Sequence, residues 1–144
     1  MNNYDALKLE NQLCFPLYAC ARDVIRKYTP FLDEIGLTYT QYVTMLVLWE
    51  REEIVAKELC DILRLDSGTL TPVLKSLEGK GLITRSRSAK DERFLVIKLT
   101  DDGASLRDRA ADIPGKLAGC MNISEDEAVM LYKILYKMLD GANN

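Results

Sequence analysis

Between residues 55 and 99, four patterned stretches follow one another with little connecting chain, and their order constrains the fold more than any other feature of the sequence. Residues 55–63 set Ala56, Leu59, Cys60 and Leu63 on one side of a short helix. After a turn at 65–68, Leu70, Val73, Leu74 and Leu77 fall at i, i+3, i+4 and i+7, the apolar stripe of a second helix. Gly79 and Gly81 mark its end. Periodicity alone starts this helix at Pro72, with Thr71 as its cap. Residues 82–87 and 94–99 read as strands; in the second, Val96 and Lys98 face opposite to Leu95, Ile97 and Leu99. Residues 88–93 between them form a charged hairpin tip. Short helix, turn, second helix and hairpin is the order of a winged helix-turn-helix, a mainly α fold with a small β-hairpin wing.

The flanking segments read as helices. Cys14, Leu17, Tyr18, Ala21, Val24, Ile25 and Tyr28 mark one face of a helix over residues 4–28, which Pro16 is expected to kink or break near Cys14 and Pro30 to end. Residues 40–52 form a further helix with Tyr42, Met45, Leu46 and Trp49 on one side. Thr100 caps a helix that starts with Asp101 and Asp102 and is interrupted by Pro114 and Gly115. Residues 124–127 form a capping box that opens a last helix to Leu139. That helix is apolar on more than one side: Ala128, Leu131, Leu135 and Met138 make one stripe, and Val129, Tyr132, Tyr136 and Leu139 spill around it. One small domain cannot cover so much apolar surface, which implies a homodimer. The 144 residues suit one domain, in which 54–99 is the winged lobe while 4–53 and 100–140 serve mainly dimerisation and sensing.

Histidine is absent, which excludes Ser/His and Cys/His catalytic pairs and His-ligated metal sites. The four cysteines, Cys14, Cys20, Cys60 and Cys120, contain no CxxC pair, so no metal, cofactor or catalytic residue is expected. With no early apolar run after basic residues and no membrane span, the expected location is the cytoplasm. A net charge of −3 conceals a split. Residues 64–98 carry eight basic and four acidic side chains, a surplus of four positive charges; the remainder has a surplus of seven negative ones. The outer face of the second helix, with Thr69, Thr71, Pro72, Lys75 and Ser76, is small, polar and basic, as entry into a major groove requires. Arg85, Arg87, Lys90 and Arg93 gather on the hairpin, within reach of a minor groove or phosphates. Double-stranded DNA is the partner this pattern suggests, although a solvated helix face and an ordinary charged hairpin would show the same local signs.

DSGTLTP at 66–72, LEGKGLITR at 77–85, DER at 91–93 and LTDDG at 99–103 resemble the DNA-binding lobe of the MarR family of repressors. The resemblance starts the second helix near Ser67, adds Ser67 to its outer face, and implies that Arg93 enters a minor groove while Asp91 orients it. It also implies a two-fold dimer on a pseudo-palindromic operator. LENQLCF at 9–15, Tyr28 and LTYTQY at 37–42 resemble, further, the branch of that family that senses organic hydroperoxides. This implies that Cys14 is the peroxidatic thiol and that Tyr28 and Tyr39 of the other subunit hydrogen-bond to it; Tyr18, one turn on, is a further expected neighbour. The position of Cys120 resembles that of the resolving cysteine of the two-cysteine type, which implies an intersubunit Cys14–Cys120 disulfide, with a low-molecular-weight thiol as the other resolving partner.

The chemistry suits the residues: a thiolate attacking a peroxide needs donors for negative charge, and without histidine, phenols can supply them. Two other functions use the same features. One is a repressor of this family that answers to a phenolic ligand without thiol chemistry; the other is a thiol peroxidase built on Cys14.

Overall fold

The computed structural model describes residues 3–141. Two 3-10 turns, Asp5–Leu7 and Leu9–Asn11, precede α1 (Cys14–Asp33) and α2 (Tyr39–Arg51). Then come β1 (Glu53–Val55), α3 (Ala56–Leu63), α4 (Ser67–Gly79), β2 (Ile83–Arg87) and β3 (Leu95–Leu99). The chain closes with α5 (Asp101–Ala110), α6 (Ile113–Ala118) and α7 (Glu125–Gly141). It divides into two compact units, Met1–Ile113 and Pro114–Asn144.

The breaks expected beside Pro16 and Pro114 are present, whereas Pro30 does not end its helix. α1 begins at Cys14, not at residue 4, so Pro16 is its third residue. The first N–H groups of a helix have no intrahelical acceptor, and a proline there breaks nothing and favours the helical φ. The break expected next to Cys14 thus falls between the 3-10 turns and α1, and Pro16 helps to start α1 there without kinking it. Pro30, expected to end the helix, lies inside it. The helix continues to Asp33 because Leu32, only 2% exposed, is drawn into the core, and this burial offsets one missing backbone bond near the helix end. The helix that Thr100 opens does stop short of Pro114, at Ala110, and Pro114 falls in the first turn of the next helix, α6, where it breaks nothing.

α4 starts at Ser67, where the family resemblance and not the periodicity put it. Asp66 caps it, its carboxylate accepting the Thr69 N–H at 2.6 Å. Pro72 lies inside, and Leu70, Leu74 and Leu77 are buried. The hairpin of β2 and β3 gains an unexpected third strand, giving the antiparallel order β1-β3-β2 with Ile54 opposite Ile97 and Arg85 opposite Ile97 on the other side. A three-residue strand is too short to show alternation, and Glu53 reads as part of a polar turn.

The core of the first unit joins Met45 and Leu48 of α2, Leu59 of α3, Leu77 of α4 and Ile97 of β3, all fully buried. One position there requires glycine. Thr100 caps α5 by accepting the Gly103 N–H at 3.0 Å, and its hydroxyl donates to the Gly81 carbonyl at 2.6 Å. Trp49 Nε1 donates to the Gly103 carbonyl at 2.8 Å. A Cβ on Gly103 would meet the Leu82 carbonyl oxygen at 2.1 Å and Leu99 Cδ1 at 2.7 Å. Backbone cannot yield as a flexible side chain does. Gly103→Ala is therefore expected to destabilise the protein by about 2 kcal/mol or more, seen as a lower urea midpoint at unchanged slope.

Candidate DNA interface and redox site

Burial of the leucine stripe turns the opposite face of α4 outward. Ser67, Thr69, Thr71, Pro72 and Lys75 are exposed on it, and the Thr71 hydroxyl donates to the Ser67 carbonyl at 2.7 Å. Ser76, grouped with them by sequence, is half-buried and turned to α2, where its hydroxyl oxygen accepts from Gln41 Nε2 at 2.9 Å.

At the wing tip, the Phe94 N–H donates to the Asp91 carbonyl at 3.1 Å and closes the turn. Arg93 folds back on the Asp91 carboxylate: Nη2 lies 2.7 Å from Oδ2 and Nε 3.0 Å from Oδ1, while the Arg93 backbone N–H donates to Oδ1 at 3.0 Å. The Arg93 side chain is nonetheless 85% exposed, against 27% for Asp91. The guanidinium holds the Asp91 carboxyl below the usual carboxylate range, so the pair is charged at neutral pH. The geometry presents a cation at the tip, pre-oriented by a less exposed acid beside it. Lys90 and Arg87 are exposed nearby. Arg85 differs: it bonds to Glu78 of α4 at 3.0 Å and is 21% exposed, tying the wing to the second helix rather than standing free.

Cys14 opens α1, with its side chain exposed among Leu13, Phe15 and Leu17, which are also exposed. The free N–H groups of that first turn favour negative charge nearby. A shallow recess lined by Lys8, Leu9, Glu10, Gln12, Phe15 and Pro16 opens beside this turn. Tyr18 is 58% exposed, with the Arg22 guanidinium 5.3 Å from its ring centre.

Tyr28 and Tyr39 come together elsewhere. Their ring centres are 4.9 Å apart, and Tyr42 joins them at 5.5 Å from Tyr28. Burial, followed by the neighbouring phenols, pushes Tyr28 up to about 12; burial also pushes Tyr39 up. Both phenols are thus neutral donors at physiological pH. Tyr28 follows Cys14 by fourteen residues in one helix, roughly 21 Å along the axis, so it cannot serve the Cys14 of its own chain.

Cys20 lies on α1 six residues from Cys14, roughly 9 Å along the helix, beyond disulfide reach. Cys60 is partly buried against the core, and burial pushes its thiol up. Cys120, just after α6, is exposed, its Sγ donating to the Lys116 carbonyl at 3.4 Å. Among the described residues no helix is long and apolar enough to cross a membrane.

Sequence reasoning missed Gln41, which is 6% exposed and bridges α2 to α4. Its signal was present: Thr38 and Gln41 have the spacing of a capping box, and the structure forms both of its hydrogen bonds.

The family model of the transcriptional regulator SarA/Rot matches residues 26–110, more than half of the chain. The organic hydroperoxide resistance transcriptional regulator of Bacillus subtilis is 49% identical over 139 residues, 96% of this chain and 95% of its own length. Among solved structures, AbfR of Staphylococcus epidermidis bound to DNA, reduced or overoxidised, is 32% identical over 99% of this chain and 100% of its own, with a TM-score of 0.79. Disulfide-formed AbfR is 33% identical over 96% and 94%, with a TM-score of 0.65.

Proposed function

From the premise that the chain belongs to the MarR family of transcriptional regulators, in its organic hydroperoxide resistance branch, we propose that it is a cytoplasmic, redox-responsive repressor. It binds operator DNA in the reduced state and releases it when organic hydroperoxide oxidises Cys14. The observation that carries this reading is the 49% identity over nearly the full length of both proteins. The open face of α4 and the Asp91–Arg93 wing pair support the DNA-binding half of it.

The functional unit is a homodimer. No residue of α7 is buried, and Val129, Met130, Tyr132, Ile134 and Met138 on it are each about half exposed or more. Leu17, Tyr18 and Ile25 are exposed along α1. A second copy covering these faces buries surface that water would otherwise meet. Two α1 helices paired antiparallel about a two-fold axis set Cys14 of one subunit beside the partner's Tyr28, which the roughly 21 Å separation within a chain forbids. The partner's Tyr39 stacks next to it. Recognition helices related by the same axis meet a pseudo-palindromic operator about one DNA turn apart.

The Cys14 thiolate attacks the outer oxygen of the hydroperoxide. The O–O bond breaks, the alcohol leaves with a proton, and Cys14 becomes a sulfenic acid. The neutral phenols donate to the sulfur before attack and lose that geometry afterwards. The partner's Cys120 thiol then condenses with the sulfenic acid, forming a disulfide and releasing water. AbfR is seen on DNA in its overoxidised form as well as its reduced one, so the disulfide is assigned as the releasing state.

Operator binding and a non-reducing gel on the same samples test this. Wild type exposed to organic hydroperoxide should leave the operator, run as a covalent dimer, and return to DNA on reduction. Cys120→Ser should give no covalent dimer and release much less DNA. A linked dimer persisting in Cys120→Ser, or undiminished release, contradicts the assignment of Cys120.

A further inference from the structure

We infer that Gln41 is a positioning residue that ties the second helix of the DNA-binding lobe to the sensing tyrosines, so that a displacement of Tyr39 reaches α4 through the Gln41 amide. This rests on the sensing reading above and names the connection that reading lacks.

Gln41 is the third residue of α2, two after Tyr39. Its Oε1 accepts from the Thr38 N–H at 3.1 Å and from Lys80 Nζ at 2.9 Å, and its Nε2 donates to Ser76 Oγ at 2.9 Å. Lys80 Nζ also donates to the Gly36 carbonyl. Ser76 and Lys80 are four residues apart and share a face at the end of α4. The turn over residues 36–41 and the last turn of α4 are thus joined by three hydrogen bonds, and Tyr39 lies within that turn. Its ring packs on Tyr28 at 4.9 Å and Tyr42 at 6.3 Å.

A buried amide with its partners in place has little freedom. If Tyr39 moves, the cap either breaks these bonds, stranding buried polar groups without partners, or carries the end of α4 along. The second course shifts the helix against its groove, and two such shifts across a dimer change the spacing that the operator sets. At 6% exposure Gln41 does not itself present a side chain to DNA.

The test uses the full-length dimer and reads the ratio of operator Kd after organic hydroperoxide to Kd before it. In Gln41→Ala this ratio should fall about tenfold or more from the wild-type value, while the rate of Cys14 oxidation, followed by peptide mass, stays unchanged. Gln41→Glu, which still accepts from the Thr38 N–H and Lys80 and can accept from the Ser76 hydroxyl in place of donating to it, should keep the wild-type ratio. If Gln41→Ala does not fold, Lys80→Met removes two of the three bonds from the α4 side and leaves the α2 cap intact; its ratio should fall too. A folded variant whose two affinities weaken equally, leaving the ratio untouched, shows a structural role only and overturns the inference. Wild type that holds its operator after oxidation overturns the sensing reading and the inference with it.

Discussion

Cys14→Ser should bind operator as the reduced wild type does, within about twofold, and should keep it after organic hydroperoxide, where wild type loses about tenfold or more of its affinity. The substitution exchanges sulfur for oxygen at an exposed helix start, so it opens no cavity and should move stability by no more than about 0.5 kcal/mol. What changes is nucleophilicity: a serine hydroxyl does not ionise at neutral pH and does not attack the O–O bond, so no sulfenic acid forms. Serine at Cys20 or Cys60 should leave the response intact. Cys20 is beyond disulfide reach of Cys14 in its own helix, and Cys60 is held partly buried with its thiol pushed up. Gel shift across an oxidant titration separates these outcomes.

Arg93→Ala should weaken operator binding by about ten- to a hundredfold, the span expected when a groove contact is lost. Asp91 holds Arg93 through three side-chain hydrogen bonds at 2.7, 3.0 and 3.1 Å, so Asp91→Ala should weaken binding in the same direction by a smaller factor. The acid contributes order rather than charge, since removing it raises the net positive charge of the tip. If Asp91→Ala instead strengthens binding, bulk electrostatics and not orientation governs the wing. Salt dependence distinguishes the two residues: the slope of log K against log salt should flatten for Arg93→Ala by about one unit per lost contact and hold for Asp91→Ala. Filter binding at several salt concentrations measures both.

The lobe between residues 54 and 99 was legible because its amphipathic period, glycine stops and strand alternation lie in order along the chain. What escaped was set by distant contacts or by position within an element. The start of α4 illustrates this: Thr71-Pro72 looks like a cap, yet Asp66 captures the Thr69 N–H and the leucine stripe carries the helix through Pro72. Pro30 was given the general behaviour of proline, whereas its cost depends on which turn it occupies and on what lies beyond. Leu32 extends α1 past Pro30 because a core formed largely by other elements receives it. Gly103 could be matched to a motif, but only the 2.1 Å approach to the Leu82 carbonyl explains why glycine stands there.

The candidate site divides along the same line. Asp91 and Arg93, two residues apart, are joined by local geometry and meet as the motif implied. Ser76 and Arg85 carry the right chemistry for DNA but are engaged by Gln41 and Glu78, partners 35 and seven residues away. No periodicity records such pairings. Tyr28 and Tyr39 do meet, but not near the Cys14 of their own chain, so the sensor proposed above needs a second subunit to bring them to a Cys14.

The central claim, that oxidation of Cys14 is what frees the operator, is tested most directly by measuring both events in one sample. One equivalent of organic hydroperoxide is added to the operator-bound dimer, and at intervals DNA occupancy is read while the thiols are mapped by non-reducing peptide mass. The account predicts that oxidised Cys14, carried into a link with Cys120, accumulates in step with loss of DNA, and that both reverse on reduction. DNA leaving while the Cys14 peptide still carries a free thiol would contradict it.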